Sequence, residues 1–91
     1  MKYTVKFTTR FKKDLKLAKK QGRDIDELFR VVERLANGER LEARYRDHQL
    51  NNLAGGRDCH IEPDWSLLYE YVDDVLVLLL HRTGTHSHLE L

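Results

Sequence analysis

This sequence predicts an α+β domain with the order β-α-α-β-β-β, in which a helical hairpin packs on one face of a mainly antiparallel, twisted sheet. Three observations predict it. Apolar residues recur at helical spacing in two segments between Thr9 and Ala36. Alternation with a period of two, the mark of a half-buried strand, precedes them and returns after Gly56. Gly22 and Arg23 leave room only for a tight turn between the helical segments, so the helices form a hairpin that covers one sheet face.

Each element has its own local reason. From Tyr3 to Thr8, Tyr3, Val5 and Phe7 alternate with Thr4, Lys6 and Thr8, which predicts a strand. From Thr9 to Gln21, Phe11, Leu15 and Ala18 share one helical face, and Lys12, Lys13, Lys16, Lys19 and Lys20 cover much of the rest. Gly22 is a natural C-terminal stop. Asp24 with Glu27 three residues on predicts a capping box for a second helix. Ile25, Leu28, Phe29, Val32, Leu35 and Ala36 form its apolar stripe, and Asn37-Gly38 ends it. Glu39 to Gly56 reads as a long polar loop, with Asn51-Asn52 and Gly55-Gly56 as turn material. Arg57 to Glu62 predicts a strand with Cys59 and Ile61 on one face and Asp58, His60 and Glu62 on the other. Pro63-Asp64 breaks it, and Trp65 to Val72 is the next strand. Asp73-Asp74 predicts a two-residue hairpin turn. Val75 to Arg82 is apolar on both faces until its end, which predicts a central strand. Gly84 releases a tail that carries His86 and His88.

A chain of 91 residues supports one domain, residues 1–91, with one modest core. Hydrophobic content of 41% and charged content of 34% exclude a disordered chain. The longest apolar run, Val75 to Leu80, is far short of the ~20 residues that span a bilayer. The N-terminus lacks the apolar stretch of a signal peptide, and the single cysteine, Cys59, cannot form an internal disulfide. Both features predict a cytoplasmic protein. The net charge of +1 hides an asymmetry. Residues 1–40 carry 12 Lys/Arg against 6 Asp/Glu, and residues 41–91 carry 4 against 9. A basic half predicts an acidic partner, whether nucleic acid or an acidic protein segment.

The chemistry concentrates in three polar stretches: Tyr45-Arg46-Asp47-His48, Arg57 through Trp65, and Arg82-Thr83-Gly84-Thr85-His86. Histidines beside an arginine and a carboxylate are the groups that proton transfer on a charged substrate requires. Hairpin reversal places the start of the Trp65 strand and the end of the Val75 strand at one sheet edge. Asp64, Trp65, Arg82 and His86 are therefore expected together, with His60 facing the same space. Periodicity does not place His48, which sits in the loop. Asp47 and Asp58 read as turn and solvent groups, and Trp65 reads equally as a core anchor. His48, His60 and His86 lack the tight spacing of a zinc site, so neither metal nor cofactor is expected.

The runs Tyr45-Arg46-Asp47-His48-Gln49-Leu50, Arg57 through Trp65 with Leu67-Leu68-Tyr69 after it, and Arg82-Thr83-Gly84-Thr85-His86-Ser87 together resemble the YafQ branch of the RelE/ParE toxin superfamily. The resemblance covers the whole chain, including the element order and the lysine-rich first helix. It implies a RelE-like fold and the toxin half of a bacterial type II toxin–antitoxin pair. It further implies cleavage of mRNA in the A site of the 70S ribosome, neutralisation by a DinJ/RelB-like antitoxin, and operator DNA bound through the antitoxin complex. The catalytic positions it implies are His48, His60, Asp64 and His86. Trp65 falls on a family active-site position and is expected to shape the pocket or stack on a base, with Arg82 as phosphate partner. Lys12, Lys13, Lys16 and Lys19 would grip ribosomal RNA or the antitoxin. One departure is plain: the family commonly ends in a run like His-Ser-Asp-Leu-Phe, and this chain reads His86-Ser87-His88-Leu89-Glu90-Leu91.

The expected reaction uses the 2′-OH of RNA as nucleophile, with His86 as general acid, Asp64 or His60 as base, and His48 as a second candidate for either role. Two other readings share the fold: a gyrase-inhibiting toxin of the ParE branch, and an attenuated toxin that acts mainly as an antitoxin-bound co-repressor.

Overall fold

A computed structural model describes residues 1–51 and 53–91; Asn52, expected in turn material, lies outside the described residues. The elements run β1 (Thr4–Phe7), α1 (Thr9–Lys20), α2 (Ile25–Ala36), a 3-10 turn (Ala43–Tyr45), β2 (His48–Gln49), β3 (Gly56–Glu62), β4 (Trp65–Val72), a second 3-10 turn (Asp73–Val75), β5 (Val77–Gly84) and α3 (His86–Leu89). The strands form one sheet in the order β1-β5-β4-β3-β2. β1 runs parallel to β5, and every other pair is antiparallel. This is the expected α+β architecture, with β5 internal as its apolar faces predicted.

The helical hairpin forms for the reasons legible in the chain. Thr8 caps α1 by accepting from the Phe11 amide at 3.0 Å, and Asp24 caps α2 by accepting from the Glu27 amide at 3.0 Å. The capping box is only half made, because the Glu27 carboxylate turns instead to the Tyr45 hydroxyl and to Arg30. Both helices end in the same motif. Gly22 (φ 73) donates to Lys19 while Arg23 donates to Ala18, and Gly38 (φ 78) donates to Leu35 while Glu39 donates to Arg34. A left-handed residue at that point satisfies the last carbonyls, and glycine alone adopts it without steric cost.

The core lies between the helices and one sheet face. Phe11 and Ala18 of α1 and Leu28, Val31, Val32 and Leu35 of α2 pack on Cys59, Ile61, Leu67, Tyr69, Leu78 and Leu80. Each such Leu or Phe side chain contributes about 1.5–3 kcal/mol by leaving water.

Two expectations change, and the structure adds a bulge. The turn after β4 is longer than two residues: Asp73–Val75 form a 3-10 turn, Leu76 is left-handed (φ 51), and β5 begins at Val77. Two adjacent aspartates do not readily supply the positive φ at both turn positions that a two-residue hairpin needs. The loop from Glu39 to Gly56 contains β2, which pairs His48 with Asp58 and Gln49 with Arg57. A bulge breaks the β4–β5 ladder, where Leu68 pairs with Arg82 but Tyr69 pairs with Leu80. The extra residue, His81, re-aims the end of β5. No helix among the described residues is long and apolar enough to cross a membrane.

Candidate active site

On the sheet face away from α1 and α2, three histidines surround one carboxylate. Asp58 and His60 share that face of β3 because they are two residues apart. β2 brings His48 directly opposite Asp58. β5 and α3 deliver His86 from the other side. Gly84 permits the close return of α3, since an added Cβ would lie 2.9 Å from His88 Cδ2. Thr85 caps α3 through the His88 amide at 3.1 Å.

The Nε2 atoms of His86, His48 and His60 lie 3.4, 3.6 and 3.9 Å from Asp58 Oδ2. The His60 and His86 rings meet edge to face at 4.9 Å. The Asp58 side chain is 1% exposed, whereas His48 and His86 are about half exposed, at 51% and 48%. The carboxylate thus lies beneath groups that a substrate can reach. Its Oδ1 is buried without a hydrogen-bond partner. A buried carboxylate so poorly satisfied is costly for folding and is characteristic of sites built for chemistry.

The other ring nitrogens define which atom works. His48 Nδ1 lies 2.6 Å from the Arg46 carbonyl, and His60 Nδ1 lies 3.3 Å from the Pro63 carbonyl. A carbonyl only accepts, so each Nδ1 carries its hydrogen, and each Nε2 is the ring atom that faces the Asp58 carboxylate. Those Nε2 atoms can take a proton or a cation. Asp58, His60 and His86 offer three ligand atoms within 4.8 Å of one another, so the same geometry could hold a metal ion.

The remaining expected residues gather elsewhere. Asp64 sits on the β3–β4 turn, 69% exposed, and accepts from Arg23 Nη1 at 2.9 Å, away from the histidines. That bond leads in holding its carboxyl below the usual carboxylate range. Trp65 is in the core, 1% exposed, beneath the Arg23 guanidinium at 5.8 Å. Its position in β4 turns it to the helix face, where the ring packs in the core, in line with the core-anchor reading. Arg82 reaches α1: its Nε and Nη2 donate to Asp14 at 2.7 and 3.1 Å. Asp14 also accepts from the Thr83 amide at 3.2 Å and lies 3.3 Å from His88 Nε2. Lys12, Lys13, Lys16 and Lys19 are exposed along α1, as expected of a charged surface.

Two carboxylates stand out only in the structure: Asp58, which the sequence reads as a solvent group, and Asp14. Asp58 is the centre of the cluster, and strand alternation had already put it on the face of His60. Asp14 lies on the apolar stripe of α1, three residues after Phe11 and four before Ala18, where an acid in a basic helix marks a buried partner.

A family model, the bacterial toxin YafQ of type II toxin–antitoxin systems, matches residues 3–91. The chain belongs to the YafQ toxin family. A curated relative from Escherichia coli (strain B / BL21-DE3), the "mRNA interferase toxin YafQ", is 40% identical over 87 residues, covering 93% of this chain and 92% of the relative. The toxin in the crystal structure of the E. coli DinJ-YafQ complex superposes with a TM-score of 0.88 at 39% identity, covering 96% of this chain and 97% of that one. A metal-bound toxin from Helicobacter pylori superposes with a TM-score of 0.92 at 39% identity, covering 96% and 98%. At its C-terminal end the chain closes with α3. Leu89 is the buried residue of α3, and Glu90 takes a left-handed turn (φ 60).

Proposed function

We propose that this YafQ-family chain is a ribosome-dependent mRNA endonuclease that cuts in the A site without metal, and that a DinJ/RelB-like antitoxin holds it inactive. The observation that carries this reading is the convergence of three histidine Nε2 atoms on the buried Asp58 carboxylate. A pure binding protein has no use for it, which weighs against gyrase inhibition by the same surface.

The reaction is a transesterification. His60 Nε2 takes the proton of the ribose 2′-OH, the 2′-oxygen attacks phosphorus, and the bond to the 5′-oxygen breaks. His86 donates the proton that this leaving oxygen needs, and a 2′,3′-cyclic phosphate end results, which water opens to a 3′-phosphate in a second step. Of the two base candidates, His60 is favoured over Asp64, because the Asp64 carboxylate is engaged by Arg23 outside the cluster. Asp58 provides a buried negative partner for an imidazolium formed at either ring. His48 stands ready as a second proton-transfer group. Arg82 commits Nε and Nη2 to Asp14, and contacts phosphate only through the rest of its guanidinium.

His86→Ala is expected to lower cleavage on translating ribosomes by roughly 10²-fold. Full activity of this variant would overturn the acid assignment. EDTA should leave the rate unchanged, whereas added Cu²⁺ or Zn²⁺ should inhibit by occupying the Nε2 lone pairs. Loss of cleavage in EDTA would end the metal-free reading.

The exposed lysines of α1 are proposed to grip ribosomal RNA or an acidic antitoxin segment, with operator DNA reached through the antitoxin complex. Ribosome binding should fall steeply with salt as counterions compete, and a flat response would remove this role. The direct test is to induce the chain in cells and map mRNA 5′ ends. Codon-phased cuts are the expected result. DNA damage without cuts would mean gyrase inhibition, and neither would mean a co-repressor. All of these targets lie in the cytoplasm, where the chain is proposed to act.

A further inference from the structure

Asp47 and His48 are neighbours in sequence but project to opposite faces of the sheet. His48 stands opposite Asp58 and faces the histidine cluster. Asp47 turns to the helix face, where its Oδ1 accepts from the Tyr69 hydroxyl at 2.5 Å and from Arg57 Nε at 3.3 Å. Tyr69 is a core residue of β4 with no exposed surface. One loop residue is therefore fastened to the core while its neighbour serves the site.

β2 requires such a fastening. It has two residues and two ladder pairs, too few to hold a register alone. A slip of one position would carry His48 to the helix face and remove it from Asp58. The approach to β2 is also strained, because Arg46 is left-handed (φ 49) without being glycine. Its carbonyl is the partner of His48 Nδ1 at 2.6 Å, so this strained residue orients the ring. Burial, followed by the bond to Asp47, pushes the Tyr69 phenol upward, so it stays protonated and donates. Nothing else in the proposed chemistry uses that hydroxyl.

We infer that Asp47 and Tyr69 are positioning residues for His48: their bond through the sheet holds the register of β2, and with it the reach and the tautomer of the His48 ring. The inference rests on the reading of His48 as a proton-transfer group, and its test separates the two.

Tyr69→Phe removes one oxygen and keeps the ring. With this variant, kcat on translating ribosomes should fall roughly 10-fold or more while KM stays unchanged, as misplacement of a reacting group predicts. The His48 ring nitrogens should lose the Nδ1–H signature in ¹⁵N NMR, and the His48 and Gln49 amides should exchange faster. Asp47→Asn keeps an oxygen acceptor for the phenol and should recover toward wild type, whereas Asp47→Ala should not. Unchanged His48 resonances and amide exchange in both Tyr69→Phe and Asp47→Ala would overturn the inference, and Asp47→Ala alone decides it if Tyr69→Phe does not fold. A fully active His48→Ala would instead remove His48 from the chemistry, while the NMR readout still decides whether the bond positions it.

Discussion

Asp58→Asn is expected to lower mRNA cleavage on the order of 10³-fold while leaving the fold intact. Asparagine has the shape of aspartate, so the packing beneath the histidines survives. It cannot offer negative charge to an imidazolium. Its amide group would also donate to the facing His60 Nε2, which lies 3.9 Å from Oδ2, and would occupy the lone pair that accepts the substrate proton. Stability should move the other way. Asp58 Oδ1 is buried without a donor, so removal of the charge relieves a cost of folding. Single-turnover cleavage with thermal unfolding of the same preparation tests both halves. A near wild-type rate in a folded Asp58→Asn protein would show that the buried charge has no part in catalysis.

Asp14→Ala should destabilise the protein by about 3–5 kcal/mol, because it breaks a largely buried pair and leaves one partner uncompensated. The Asp14 side chain is 6% exposed and that of Arg82 19%. The change strands the Arg82 guanidinium and the Thr83 amide together, both of which donate to this carboxylate. A midpoint lowered by more than about 10 °C is expected for a domain of this size. A shift within a degree or two would show that the pair contributes little. The pH dependence follows from the same contacts. Burial raises the Asp14 carboxyl, but bonds from Arg82, Thr83 and His88 more than offset it and hold the group below the usual range. A depressed folded value means stability present above the unfolded value of about 3.9 and lost as pH falls through the folded one. Acid unfolding below about pH 4 should therefore be shallower in a folded variant that lacks this carboxylate, such as Asp14→Asn.

The two aspartates show how much of the site was legible. Alternation along β3 placed Asp58 on the face of His60, and helical spacing placed Asp14 on the stripe of Phe11 and Ala18. Neither pattern reveals what covers a residue once it faces a given way. Asp58 is buried because His48 and His86 arrive from β2 and α3, at positions 10 and 28 residues away in the chain. Asp14 is buried because Arg82, the Thr83 amide and His88 close on it from β5 and α3. Trp65 and Asp64 illustrate the converse. Hairpin reversal correctly set them at the sheet end that holds His86, yet Trp65 turns to the core and Asp64 to Arg23.

Local sequence signals were enough for the strand–helix–helix–strand–strand–strand order, the helix caps and stops, and the opposite faces of Cys59/Ile61 and Asp58/His60 on β3; Glu62, expected beside His60, lies past a register shift and pairs with Trp65. The sequence also carried the motifs that mark the family. These depend on local spacing, on backbone conformations that few residues adopt, and on periods of two and 3.6. Long-range packing sets the rest: β1 joins β5 in parallel, a two-residue β2 forms, and three histidines close over Asp58. Those contacts join segments far apart in the chain, and their energy comes from burial and from the pairing of charges that no local pattern records.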